Sequence, residues 1–128
     1  MTFPFRSDEG LILVDAKARG PDGELLLSLA LDTGASRTLI TSERMASLGY
    51  TAAMASEWVE VTTATKSERA PLIALAALES LGVVKSRFTV LCHPLPPGAR
   101  IDGLLGLDFL RGSILKIDFR AGELIVEM

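Results

Sequence analysis

Asp32 ends the apolar run Leu25 to Leu31 and opens the segment Asp32-Thr33-Gly34-Ala35-Ser36, after which Leu39-Ile40 is apolar again. An apolar run broken by Asp and then Gly reads as a buried strand that ends in a sharp turn with a carboxylate on it. A carboxylate taken out of water needs several hydrogen-bond donors, or a second carboxyl with which to share a proton. Two carboxyls that hold one proton can activate water. The ionised member takes a proton from the water as it attacks a carbonyl, and the protonated member stabilises the developing oxyanion and passes its proton on. The motif occurs once, so the second carboxyl has to come from a second copy of the chain. The same tripeptide is also ordinary turn chemistry, with Asp accepting local backbone bonds and Gly supplying unusual dihedrals, so on its own it does not separate a catalytic Asp32 from a turn-closing one.

About seventy residues on, Ile101-Asp102-Gly103-Leu104-Leu105-Gly106-Leu107-Asp108-Phe109-Leu110 runs from an apolar strand through Gly into a short amphipathic turn. The two elements in this order resemble those of the retropepsin-like aspartic peptidases. Those proteins pair an Asp-Thr/Ser-Gly-Ala loop with a later hydrophobic-hydrophobic-Gly segment, here Leu104-Leu105-Gly106. The likeness is nearest to the short cellular members. It extends from about residue 11 onward and takes in a closing hairpin from Ile117 to Leu124.

The resemblance implies an all-β, retropepsin-like acid protease fold: a closed, β-barrel-like single domain over residues 1–128, with a flap hairpin and one or two short helices. It implies a homodimeric aspartic endopeptidase that hydrolyses a peptide or protein substrate without metal or cofactor. Asp32 would be the catalytic residue, and Thr33 and Gly34 would support its turn, Thr33 through hydroxyl bonds across the two-fold axis. Gly34, Ala35 and Ser36 would contact substrate, as would Thr63, Ala64 and Thr65 of the flap. Leu104, Leu105 and Gly106 would support the motif, and specificity contacts would begin at Ser36 and Arg37.

Two departures from the family pattern stand out. The viral branch has an acidic residue at the fifth motif position and an Arg just after the hydrophobic-hydrophobic-Gly segment; this chain has Ser36 and Leu107, so neither charge is left without its partner. The expected flap tip, Ala64-Thr65-Lys66-Ser67, has no glycine, which leaves an ordinary surface hairpin as an equal reading. A non-catalytic member of the fold that dimerises or grips an extended peptide as an added strand therefore stands as an alternative. So does an unrelated β-barrel binding domain in which Asp32 only closes a turn. Asp102, beside a turn glycine, and Asp108, near helix or strand donors, both read as structural acids.

The composition suits one domain: 128 residues, 48% hydrophobic, formal net charge −3. No uncharged apolar stretch approaches the roughly 18 residues needed to span a bilayer. The first residues lack the basic region and apolar core of a secretory signal, so a soluble cytoplasmic protein is expected. Lys and Arg are scattered, without a basic stripe for nucleic acid. One Cys and one His make a structural zinc site improbable. Cys92 reads as a small core residue. Adjacent strand positions face opposite ways, which separates Cys92 from His93 as a nucleophile pair, and His93 is expected to face solvent in the loop His93 to Gly98.

Several elements must place the motif. Leu11 to Arg19 and Glu24 to Leu31 form a hairpin across Gly20-Pro21-Asp22-Gly23. A short strand from Arg37 to Ile40 leads into a helix over Glu43 to Leu48, capped by Thr41-Ser42 and stopped by Gly49, with Met45 and Leu48 buried. Glu57 to Thr65 and Glu68 to Leu78 make the long projecting hairpin, with Trp58 as a core anchor near its base. Val83 to Cys92 is a further strand. Ile114 to Phe119 and Glu123 to Met128 close the chain, with Leu115, Ile117 and Phe119 facing one way, and Leu124, Val126 and Met128 likewise. An apolar last strand invites pairing with a second chain unless the protein's own first residues cover it.

Overall fold

The computed structural model describes residues 1–6 and 8–127; the expectation for Met128 lies outside them. In chain order the strands are β1 (Thr2–Pro4), β2 (Leu13–Gly20), β3 (Gly23–Leu31), β4 (Leu39–Ile40), β5 (Glu57–Thr62), β6 (Ser67–Ser80), β7 (Val83–Cys92), β8 (Gly103–Leu105), β9 (Ile114–Asp118) and β10 (Glu123–Glu127). Two short helices, α1 (Ser42–Ser47) and α2 (Leu107–Leu110), follow β4 and β8. No helix among the described residues is long and apolar enough to cross a membrane.

The period-2 pattern of β2 sends Val14, Ala16 and Ala18 inward and Leu13, Asp15 and Lys17 outward. The tight turn fixes its register on β3, from Gly20 against Gly23 to Leu13 against Ala30. From β3 the sheet continues through β8, β4, β7 and β6, and β6 returns to pair with β2, closing a six-stranded barrel. The β3–β8 and β4–β7 pairings are parallel and the others antiparallel. Closure removes the free edges that an open sheet would expose. Leu29, Ile40, Leu75, Leu78, Val90, Leu105 and Leu124 fill the interior. Thr41 caps α1 by accepting a hydrogen bond from the Arg44 N–H, and Gly49 ends that segment at φ +90°.

Tyr50 ties two strands, β2 and β6, together. Its hydroxyl donates to the Arg19 carbonyl at 2.8 Å and accepts the Ala76 N–H at 2.8 Å. Ala76 needs this partner because Arg87, opposite it on β7, takes a positive φ of 52° and interrupts the β6–β7 ladder.

The β5–β6 hairpin leaves the barrel at Leu72. Beyond that residue β6 pairs with β7, whereas its first part pairs only with β5, from Leu72 against Glu57 to Ser67 against Thr62. A second, three-stranded sheet has the order β1-β10-β9. Phe5 continues this edge by donating its N–H to the Gly122 carbonyl at 2.8 Å.

Five expectations need correction. The run Leu25 to Leu31 is not buried throughout: Leu27, Leu29 and Ala30 are buried, but Leu26, opposite Lys17, is 79% exposed. Trp58 is 42% exposed and anchors no core, because β5 has β6 as its sole neighbour. His93 does not face solvent; its ring is held by Glu68 and its side chain is only 14% exposed. Phe119 lies past the end of β9 and is 66% exposed against Phe5, whereas Leu115 and Ile117 are half-buried and Leu124 and Val126 are buried. The last strand is not an open edge, since β1 pairs along it from Thr2 against Ile125 to Pro4 against Glu123.

Gly103 marks the tightest approach in the barrel, because a Cβ added there would run into the Leu39 carbonyl oxygen of β4. Gly103→Ala should therefore lower stability by about 1–3 kcal/mol through local overpacking, read as a drop in the midpoint of urea unfolding. An unchanged midpoint would show that β4 can move aside.

Candidate active site

β3 carries the chain out of the barrel, and the Asp32 N–H donates to the Leu105 carbonyl of β8 at 3.0 Å. The chain then turns back. Ala35 N–H donates to the Asp32 carbonyl at 3.2 Å, and Gly34 N–H donates to Asp32 Oδ1 at 2.9 Å. On the far side of the turn, Leu107 N–H donates to the Ala35 carbonyl at 2.8 Å. The turn is thus pinned at both ends to the Leu104-Leu105-Gly106 segment, as its sequence order suggested. Gly106 is there because of space: a Cβ would sit 2.7 Å from the Arg37 carbonyl carbon and 2.8 Å from the Ala35 oxygen.

Beneath the turn lies a group that the sequence reading missed. Thr38 is fully buried, and its hydroxyl donates to Asp108 Oδ1 at 2.7 Å while accepting the Gly106 N–H at 3.1 Å. The Thr38 N–H reaches both oxygens of Asp108, at 2.9 and 3.0 Å, and Phe109 N–H adds a fourth bond to Oδ1 at 2.9 Å. The available signal was a hydroxyl residue placed directly before Leu39-Ile40, where only a fully partnered polar group is tolerated. Asp102 has the structural role expected of it, accepting from Ser28 N–H at 2.8 Å and from Arg44 Nε at 2.9 Å.

Asp32 is half-buried, Ala35 is half-buried, and Thr33, Gly34 and Ser36 are exposed. The carboxylate is therefore less removed from water than the sequence suggested, because in one chain nothing covers the outer side of the turn. Asp108, bonded beneath the turn, has both oxygens engaged by backbone and hydroxyl donors and is not free to share a proton with Asp32. Thr63, Ala64 and Thr65 are exposed at the end of the β5–β6 hairpin, where Thr63 N–H bonds the Lys66 carbonyl at 2.8 Å. Among the described residues no hydrogen bond joins them to the Asp32 turn. The same residues contain no cluster of three His, Cys, Asp or Glu arranged to hold a metal. Burial pushes the Cys92 thiol above its ordinary range, against a smaller opposite pull from Ser42, so Cys92 is not an activated nucleophile.

Residues 16–109 match the family model described as aspartyl protease. The chain belongs to that family. Its fold is shared with a retropepsin-like aspartic protease from Rickettsia conorii, at 20% identity over 98% of this chain and 88% of that one, with a TM-score of 0.72. It is also similar to the retroviral protease-like domain of Ddi1 from Leishmania major, at 15% identity over 93% of this chain and 90% of that one, with a TM-score of 0.62. At these identities the likeness speaks for the fold alone. No curated protein sequence gives a significant match.

The Thr38–Asp108 pair is what this aspartyl protease turn rests on. Thr38→Val keeps the shape and removes the hydroxyl, which leaves one Asp108 contact and the Gly106 N–H without a partner. The loss should be about 1–3 kcal/mol, measured by chemical denaturation. If instead the valine variant matched the parent, the buried bonds would be dispensable.

Proposed function

We propose that the chain, read as one domain over residues 1–128, is one protomer of a homodimeric aspartic endopeptidase that cleaves peptide bonds between two symmetry-related Asp32 carboxyls. The observation that carries this reading is a family-typical Asp32 on a turn held at both ends by backbone bonds, yet open on its outer side. Asp108, the acid bonded beneath the turn, is already committed to Thr38. A rigid carboxylate without a partner of its own suits a site completed by a second copy.

In the pair, one carboxyl stays ionised and takes a proton from water. The other keeps its proton, donates toward the developing oxyanion, and the proton then passes to the leaving nitrogen. The titration belongs to the pair. Thr33, exposed in the single chain, is positioned to bond across the two-fold axis. Gly34, Ala35 and Ser36 line the approach to the turn, and the β5–β6 hairpin with Thr63, Ala64 and Thr65 at its end acts as the flap over bound peptide. Leu104, Leu105 and Gly106 hold the turn in place.

A second reading, a peptide-gripping member without catalysis, is favoured by the hairpin end. There Thr63 accepts the Lys66 N–H on its hydroxyl at 3.2 Å and stiffens a turn that has no glycine.

Asp32→Asn should reduce peptide cleavage by roughly 10²–10⁴-fold or more, because it removes the ionised base, while the circular dichroism spectrum stays unchanged. Mixed with an equal amount of wild type and allowed to exchange subunits, it should cut activity to about a quarter of that of wild type at the same total concentration, against about a half for protomers acting singly. Peptide binding by both proteins with cleavage by neither would favour the second reading.

A further inference from the structure

His93 opens the loop between β7 and β8 and is the chain's one histidine. Its Nδ1 lies 2.7 Å from the Pro94 carbonyl oxygen, and its Nε2 lies 3.1 Å from Glu68 Oε2. Both partners can only accept. A neutral imidazole has one N–H and satisfies one of them, whereas the imidazolium donates to both. The two partners also belong to different parts of the molecule. Pro94 is in the same loop, while Glu68 is the second residue of β6, just past the turn that ends the hairpin. The His93–Glu68 contact is, among the described residues, the only hydrogen bond or ion pair that joins residues 57–70 to anything outside the hairpin.

We propose that His93 is a positioning residue for the β5–β6 hairpin: its imidazolium, bridging the Pro94 carbonyl and the Glu68 carboxylate, latches the far end of the hairpin to the loop after β7, and loss of one ring proton weakens the latch by leaving one of the two acceptors without a donor. The consequence for cleavage rests on the reading of this hairpin as a flap; the latch itself does not.

The charged groups around the ring support this assignment. Lys66, in the hairpin turn, binds the other Glu68 oxygen. It belongs to the hairpin itself, so it ties nothing to the loop when His93 is neutral. Ser67 and Arg69 alternate to the opposite face of β6, where Ser67 meets Glu60 across the ladder. From β4 the ring's residue receives only backbone, the Ile40 carbonyl accepting the His93 N–H at 3.4 Å. Glu68 is held below the usual carboxylate range by Lys66 first and then His93. The carboxylate therefore remains charged while the ring gains its proton. The latch is therefore strongest with the ring protonated and Glu68 charged, and it loosens when the ring gives up one of its two protons.

A single histidine makes the test clean. Its ring titration is followed by NMR in the wild-type chain, and amide hydrogen exchange of residues 64–70 is measured over the same pH series after correction for intrinsic rates. Protection should fall with rising pH at the same midpoint as the ring's own titration, and this step should vanish in both His93→Gln and Glu68→Gln. Flat protection in the wild type, or a step that survives either substitution, would overturn the proposal. In peptide cleavage, His93→Gln should raise KM several-fold on the acid side and remove its pH dependence, with a smaller change in kcat. Absence of cleavage by the wild type would sink the peptidase reading, while the exchange measurement would still decide the latch.

Discussion

The structure depends on how closely β8 and the residue after it approach their neighbours. Leu105 must accept from Asp32, and Leu107 must donate to Ala35, while the same short stretch passes beside Leu39 and Arg37. Gly103 and Gly106 make both approaches possible. A side chain at either position would push β8 away from β4 or from the turn, and the bonds that locate Asp32 would lengthen together. The hydrophobic pair between the glycines has the complementary task, with Leu105 fully buried in the barrel. The motif is therefore a steric solution, in which small residues allow backbone contact and large ones fix depth.

The space under the turn is polar and, among the described residues, has no ion pair. Thr38 and Asp108 close a set of bonds that satisfies a buried hydroxyl, three backbone N–H groups and a carboxylate. A charge pair in such a place carries a desolvation cost that its attraction only partly offsets, and losing one member leaves an uncompensated charge. A carboxylate fed by N–H and O–H donors avoids that dependence, and α2 places one of those donors on Asp108 itself. The arrangement also leaves Asp32 as the one acid of the turn with an oxygen not already committed to the fold, which is why its chemistry depends on what approaches from outside.

Much of this was legible in the sequence because it was encoded locally. The Gly20-Pro21-Asp22-Gly23 turn, the alternation along β2, the Thr41 cap and the order of the Asp32 and Leu104-Leu105-Gly106 segments each follow from neighbouring residues. What escaped depended on contacts between distant residues. Thr38 and Asp108 are seventy positions apart, and nothing near Thr38 announces its partner. His93 sits among prolines that mark a loop, and a loop suggests exposure until Glu68 arrives from β6. Trp58 was misplaced for the opposite reason, since a large aromatic implies burial while the β5–β6 ribbon has no layer to cover it. Periodicity reports which residues share a face but not whether anything packs against that face.

The pairing of β1 along β10 changes what a second copy has to supply. An uncovered terminal strand would draw a partner through its unpaired backbone groups, and association would then be largely independent of the Asp32 turn. With β10 flanked on both sides, that drive is gone. The free edge of β1 is blunted by Pro4, and the outward residues of β9 include Lys116 and Asp118, features that discourage edge-to-edge pairing. Association in the proposed dimer must then come from side-chain surface and from the turn itself, where Thr33 and Asp32 have bonding capacity left over. Under that arrangement the contact that completes the site also contributes to holding the subunits together, and weakening one weakens the other.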